Sequence, residues 1–195
     1  MTQITQSLPA GSAGNAIAKR TAIALQAQQA AADSPPQYLT FLLGGEMFAV
    51  GILNVKEIIE YGHLTEIPMM PAFIRGVINL RGAVVPVIDL AARFGKTQSL
   101  IGKRSCIVIV EIRENDLRHD IGLLVDAVSE VIEIPASDIE PPPSFGARIR
   151  ADFIQGMGKV AGKFVILLNI IKVLSVDEIA MLAQVAGGEV GAPKS

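Results

Sequence analysis

The sequence predicts a mainly β protein: two related small β-barrels in one compact unit, with a few short helices. Three observations predict it. The apolar segments are short, β-branched and punctuated by glycine turns, helical patterns are brief, and one block of sequence recurs 80 residues later.

Taken in order, residues 1–37 stand apart. The first 36 hold ten alanines and five glutamines, with only Lys19, Arg20 and Asp33 charged. A helix there would have too little apolar face to dock firmly, and Ser34-Pro35-Pro36 breaks it, so the reading is a flexible tail. Tyr38–Leu43 and Met47–Val50 flank Gly44-Gly45, two residues that accept the positive φ angles of a tight hairpin. Leu53–Ile59 reads as a short helix. Gly76–Leu80 and Ala83–Ile88 flank Arg81-Gly82 as a second hairpin, and Leu90–Phe94 reads as a helix stopped by Gly95. Cys106–Ile112 and Ile121–Val125 make a third hairpin around the polar run Arg113–Asp120. Val131–Ile134 and Phe164–Leu168 are further strands. Ser175–Ala186 opens with Ser175-Val176-Asp177-Glu178, a capping box that starts a helix. Residues 38–182 form the folded domain and 183–195, rich in glycine, a second tail.

In the repeat, Phe73-Ile74-Arg75-Gly76 matches Phe153-Ile154-Gln155-Gly156. The same offset pairs Gly82 with Gly162, Val85 with Val165, Asp89 with Asn169 and Leu90 with Ile170. A weaker echo pairs Gly51-Ile52-Leu53 with Gly122-Leu123-Leu124, and Val55–Ile58 with Val128–Val131.

Composition excludes several classes of function. The 17 Lys and Arg against 19 Asp and Glu give a net charge of −2, without the basic footprint of a nucleic-acid binder. No apolar run approaches the ~20 residues of a membrane span, and no secretory signal opens the chain. A single cysteine fits a reducing cytoplasm.

Chemistry-bearing motifs fail on context. Gly95-Lys96-Thr97 would end a phosphate loop, but that loop needs glycine at position 90 and finds Leu90. Gly156-Met157-Gly158-Lys159-Val160-Ala161 spells a dinucleotide fingerprint, yet a strand follows where a helix N-terminus is required. Cys106 sits in an apolar strand that favours a small buried residue, and His119 in a polar, solvated hairpin. His63, His119 and Cys106 lie too far apart for a metal site. The expectation is no enzyme, no metal and no cofactor.

What remains is surface chemistry. Pro68-Met69-Met70-Pro71 is an apolar loop that suits either adaptable contact or packing over a barrel end. Glu57 lies among Val55, Ile58 and Ile59. Arg81 occupies a tight turn, presented for pairing with a carboxylate of a partner or of Glu57.

Gly76-Val77-Ile78-Asn79-Leu80-Arg81-Gly82, followed by Val85-Pro86-Val87-Ile88-Asp89-Leu90, resembles the CheW family of chemotaxis coupling proteins. Ile52–Ile58, Val125–Val131, Gly156-Met157-Gly158 and Ile166–Asn169 extend the resemblance over roughly three quarters of the chain. It implies two five-stranded SH3-like barrels. It also implies an adaptor, in the cytoplasm and recruited to membrane-associated arrays, between methyl-accepting chemoreceptors and the histidine kinase CheA. The receptor's cytoplasmic tip would dock in a groove between barrels, and the kinase's regulatory domain barrel to barrel. Carried over by matching motif, Val55, Glu57, Ile58, Gly76 and Arg81 are the partner-contact candidates, not apportioned between the two partners. Nucleic acid and membrane insertion are not expected. A coupler for a twitching or other non-flagellar pathway is the alternative, and a nucleotide-binding regulatory protein a distant one.

Overall fold

The computed structural model describes residues 34–114, 117–143, 149–174 and 178. Of the tail expected over residues 1–37, residues 1–33 lie outside them, and Gln37 is already the first residue of a strand, opposite Glu133. The readings of Ser175–Ala186 as a helix (Glu178 apart) and of 183–195 as a tail also lie outside them.

Eleven strands occur among the described residues: β1 (Gln37–Leu43), β2 (Glu46–Gly51), β3 (Val55–Glu60), β4 (Ile74–Leu80), β5 (Ala83–Asp89), β6 (Cys106–Glu114), β7 (Leu117–Val125), β8 (Ala127–Glu133), β9 (Ile139–Glu140), β10 (Ile154–Val160) and β11 (Lys163–Leu168). Two single-turn helices, α1 (Leu90–Arg93) and α2 (Ile170–Val173), follow β5 and β11. The three hairpins form as the sequence predicts, although β6 and β7 run well into the polar segment expected to be loop. His119 therefore lies half-buried on β7 opposite Ile112 rather than in a solvated turn.

The expected helix over Leu53–Ile59 is not formed. A 3-10 turn over Ile52–Asn54 leads into β3, which pairs with β6. Exposure along β3 alternates residue by residue, the period of a strand. The β-branched Val55, Ile58 and Ile59 fit a pleated surface better than a helix.

The strands form two sheets, ordered β8-β1-β2-β11-β10-β9 and β3-β6-β7-β5-β4. The 80-residue repeat is physical. β4–β5–α1 and β10–β11–α2 carry matching bulges, at Ile74/Gly76 and Ile154/Gly156. They carry matching turns of positive φ at Arg81-Gly82 and Ala161-Gly162. Asp89 N–H donates to Phe73 O at 2.8 Å, and Asn169 N–H to Phe153 O at 2.8 Å.

The second echo holds for Val55–Ile58, because Ile58 stands opposite Val108 on β6 as Val131 stands opposite Leu39 on β1. It does not hold for Gly51: Gly122 stands beside Val87, whose counterpart Leu167 stands beside Ala49, so the glycine match is two residues out of register. The two repeats are interleaved. β3 leaves the β1–β2 hairpin to join the other sheet, and β8 leaves β6–β7 to join β1, so each barrel takes strands from both halves of the chain.

Each sheet folds over its own small apolar cluster, one around Tyr38, Ile134 and Leu167, the other around Val87, Ile107 and Leu124. The largest cluster draws on both sheets. Along it Phe41, Phe48, Phe94 and Phe153 follow one another at centroid distances of 6.2, 5.7 and 6.0 Å. At its edge the guanidinium of Arg93 lies 4.5 Å from the ring of Phe73 and 5.3 Å from that of Phe153, the two repeat-related phenylalanines. Its Nε donates to the carbonyl of Val173, the residue at its own repeat position, at 2.6 Å, and both Nη atoms bond Glu178.

Candidate functional site

β3 and β4 are the two edges of the second sheet, and the site lies where they meet. Closure begins at Gly76. Its φ of +143° suits glycine, and a Cβ there would stand 2.4 Å from the carbonyl oxygen of Thr65. That approach lets Thr65 and Val77 exchange backbone hydrogen bonds of 2.9 and 2.8 Å, tying the β3–β4 connection to β4. Gly76 is itself buried, so its visible task is this close backbone contact.

The β4–β5 hairpin then turns in two residues, Arg81 (φ +54°) and Gly82 (φ +91°). Asn79 Oδ1 accepts from Gly82 N–H at 2.9 Å and fixes the turn. Arg81 reaches across to β3, where its Nη2 donates to Glu57 Oε2 at 2.9 Å. The Arg81 side chain is 80% exposed and Glu57 25%, so the pair presents a hydrated guanidinium on a partly buried carboxylate. Ile58 is exposed beside Glu57, whereas Val55 is half-buried and packs on the large central cluster.

Four of the five sequence candidates thus share β3 or the adjoining turn, and the fifth shapes the edge. Two exposed apolar neighbours escaped the sequence reading, Leu53 ahead of β3 and Val84 just past the Arg81 turn. Leu53 is 97% exposed, and the short helix expected over Leu53–Ile59 gave no sign of it.

Two further strands, β6 and β7, flank this edge with charge. Lys56 on β3 bonds Asp120 on β7 at 2.8 Å and approaches Glu111 on β6 at 3.8 Å. Arg113 donates to Glu111 at 2.6 Å, and this hydrogen bond is the main cause holding the Glu111 carboxyl below its ordinary pKa.

The remaining candidates are dispersed. Lys96 pairs with Glu46 at 2.7 Å. The Gly156-Met157-Gly158 stretch is antiparallel strand, not the approach to a helix. Cys106 is half-buried at the start of β6, its thiol donating to Arg104 O at 3.2 Å. In the Met69-Met70 loop each residue follows one of the two readings: Met69 is fully exposed at φ +63°, and Met70 packs on the core. Among the described residues no group of three His, Cys, Asp or Glu side chains could hold a metal ion.

Comparison with known proteins bears on the whole of this unit. The family described as CheW-like domain matches residues 37–178. Chemotaxis protein CheW of Klebsiella aerogenes is 34% identical over 150 residues, covering 77% of this chain and 88% of that protein. Protein FrzA of Myxococcus xanthus is 32% identical over 151 residues, covering 76% and 91%. Among solved structures, the scaffolding protein TtCheW of Thermoanaerobacter tengcongensis superposes with a TM-score of 0.66 at 39% identity, covering 74% of this chain and 90% of that one.

Proposed function

The chain belongs to the CheW-like family, and on that premise we propose that it is a non-catalytic adaptor coupling chemoreceptors to the histidine kinase CheA in chemotaxis signalling. Its two partners are the cytoplasmic tip of the receptors and the regulatory domain of the kinase. The protein works in the cytoplasm and is recruited to receptor arrays at the membrane.

The observation that carries the choice of contact surface is the Glu57–Arg81 bridge, with an 80% exposed arginine beside exposed Ile58. A bridge this exposed contributes only ~0–1 kcal/mol to folding. Desolvated against a partner, the same charge is worth ~2–5 kcal/mol of binding. Val55, Glu57, Ile58 and Arg81 are the contact residues on this reading, and Gly76 serves them by holding the edge in shape.

Arg81→Ala tests it. The melting curve should stay close to wild type while co-sedimentation with receptor and kinase falls. A variant that melts much earlier, or assembles at wild-type level, refutes the assignment. Reversing both charges, Glu57→Arg with Arg81→Glu, restores assembly only if the pair acts within the chain. A coupler for a non-flagellar pathway would use the same surface on different partners. The similarity to FrzA is compatible with that, and a pull-down of receptors and kinase from the native cell distinguishes the two.

A further inference from the structure

Two clefts that share Gly62 and His63 lie along the β3–β4 connection. One, lined by Glu60, His63, Thr65 and Val77, also includes Asn79, the residue that fixes the Arg81 turn. Gly62 and His63 also line a second cleft of about 540 Å³, with Leu64, Glu66, Met70, Arg75 and Gln98. Arg75, half-buried on β4, is held in place: its Nη1 donates to Gln98 Oε1 at 2.7 Å, while Gln98 Nε2 donates to Ala72 O at 2.9 Å and so orients the amide. The neighbouring Ser99 is anchored by two hydrogen bonds, 2.8 and 2.9 Å, to the buried carboxylate of Asp89.

No carboxylate among the described residues pairs with Arg75, and its Nε and Nη2 have no protein acceptor among them. A guanidinium carries five donors in a fork that matches a carboxylate. Here the fork is oriented by supporting hydrogen bonds but incompletely used.

The repeat provides a control within the chain. The equivalent residue on β10 is Gln155, exposed, in a strand with the same bulge. The fold therefore does not require a cation at this register.

We propose that Arg75 is the charged group of a subsite for an acidic side chain, Asp or Glu, of the protein partner that docks on the Arg81 surface. The inference rests on the adaptor reading above. Apolar walls from Leu64 and Met70 suit a side chain carried on a polypeptide. Glu66, in the same cleft, disfavours a polyanion such as phosphate.

The test titrates Arg75→Gln, the residue the second repeat carries, and Arg75→Lys against the kinase regulatory domain and a receptor cytoplasmic fragment, at low and high salt. For the partner that Arg81→Ala weakens, R75Q should bind roughly tenfold less tightly, with a shallower salt dependence and an unchanged melting curve. R75K, which keeps charge but loses the fork, should lie between. If wild type binds a partner and R81A weakens it while R75Q binds as wild type, the subsite is refuted and the adaptor reading stands. If wild type binds neither, both fall. Tight binding of free glutamate or inorganic phosphate, lost in R75Q, would overturn the protein-partner assignment in favour of a small-anion site.

Discussion

Asp89 offers the sharpest test of how the site is supported. Its side chain is fully buried and accepts four hydrogen bonds: from Ala91 N–H at 3.0 Å and Ala92 N–H at 3.2 Å, capping α1, and from Ser99 N–H and Oγ at 2.8 and 2.9 Å. Asp89→Ala removes an N-cap, worth ~0.5–2 kcal/mol. It also leaves the Ser99 amide without its acceptor in a buried place, a cost of ~1–3 kcal/mol. The expected loss is therefore about 2–5 kcal/mol, or roughly 4–20 °C in melting temperature for a domain of this size. Asp89→Asn should lie between, because one amide oxygen still caps α1 while its NH2 faces another donor at Ser99. The control is Asn169, the same position in the second repeat, whose side chain makes no capping hydrogen bond. Asn169→Ala should cost less than about 1 kcal/mol. Thermal and urea unfolding of the three variants decide the matter. An Asp89→Ala protein that melts within about 2 °C of wild type, or an Asn169→Ala protein that loses as much, would refute the reasoning.

Other substitutions probe separate links. Gly76→Ala should destabilise the domain by about 2 kcal/mol or more, since it meets both a positive φ and a backbone oxygen, whereas Gly82→Ala, with open space around it, should cost less; urea midpoints compare them. Burial raises the pKa of Tyr38, so above the ordinary tyrosine value of about 10 the native state holds a proton the unfolded chain has lost. Its contribution is thus intact below that pH and is lost as pH rises toward the raised value, and Tyr38→Phe should flatten this alkaline decline in a melting series. Arg93→Met should cost about 2–4 kcal/mol, because Glu178 and the Val173 carbonyl lose a partner, and Arg93→Lys should recover little of it.

The parts of the fold legible in the sequence were those with local chemistry. Gly44-Gly45 announces a tight turn because glycines accept two positive φ angles, and Gly82 between two aliphatic runs marks a second. Both hairpins form, with Arg81 taking a positive φ although it is not glycine. The repeat was legible because the same bulge, turn and Asx residue are needed twice. Leu53–Ile59 misled because seven residues with scattered apolar positions fit either period, and pairing with β6, nearly fifty residues away, decided for strand. The interleaving of the halves was invisible for the same reason: nothing within β3 or β8 states which hairpin it will join. Glu57 and Arg81 could be named as candidates from their motifs, but Leu53, Val84 and the Arg75–Gln98 pair come into view only through exposure and tertiary contact.

The internal repeat also separates what the fold demands from what it leaves free. Where the halves agree, a geometric reason stands behind the agreement. Gly76 and Gly156 both lack room for a Cβ beside a backbone oxygen, and Gly82 and Gly162 both close a turn. Phe73 and Phe153 both accept the backbone N–H that ends the second hairpin strand. Elsewhere the same backbone tolerates different residues: Arg81 answers to Ala161, Arg75 to Gln155, Val84 to Phe164. All three first-half residues lie on the β4–β5 hairpin, whose last residue, Asp89, anchors Ser99 beside the Gln98 that orients Arg75. Such substitutions give a partner one means of telling the two barrels apart. The first hairpin thus carries Arg75 and Arg81 where the second carries Gln155 and Ala161, a difference in charge that docking on the proposed surface would read, whereas half-exposed Phe164 on β11 lies 5.6 Å from the Lys159 ammonium.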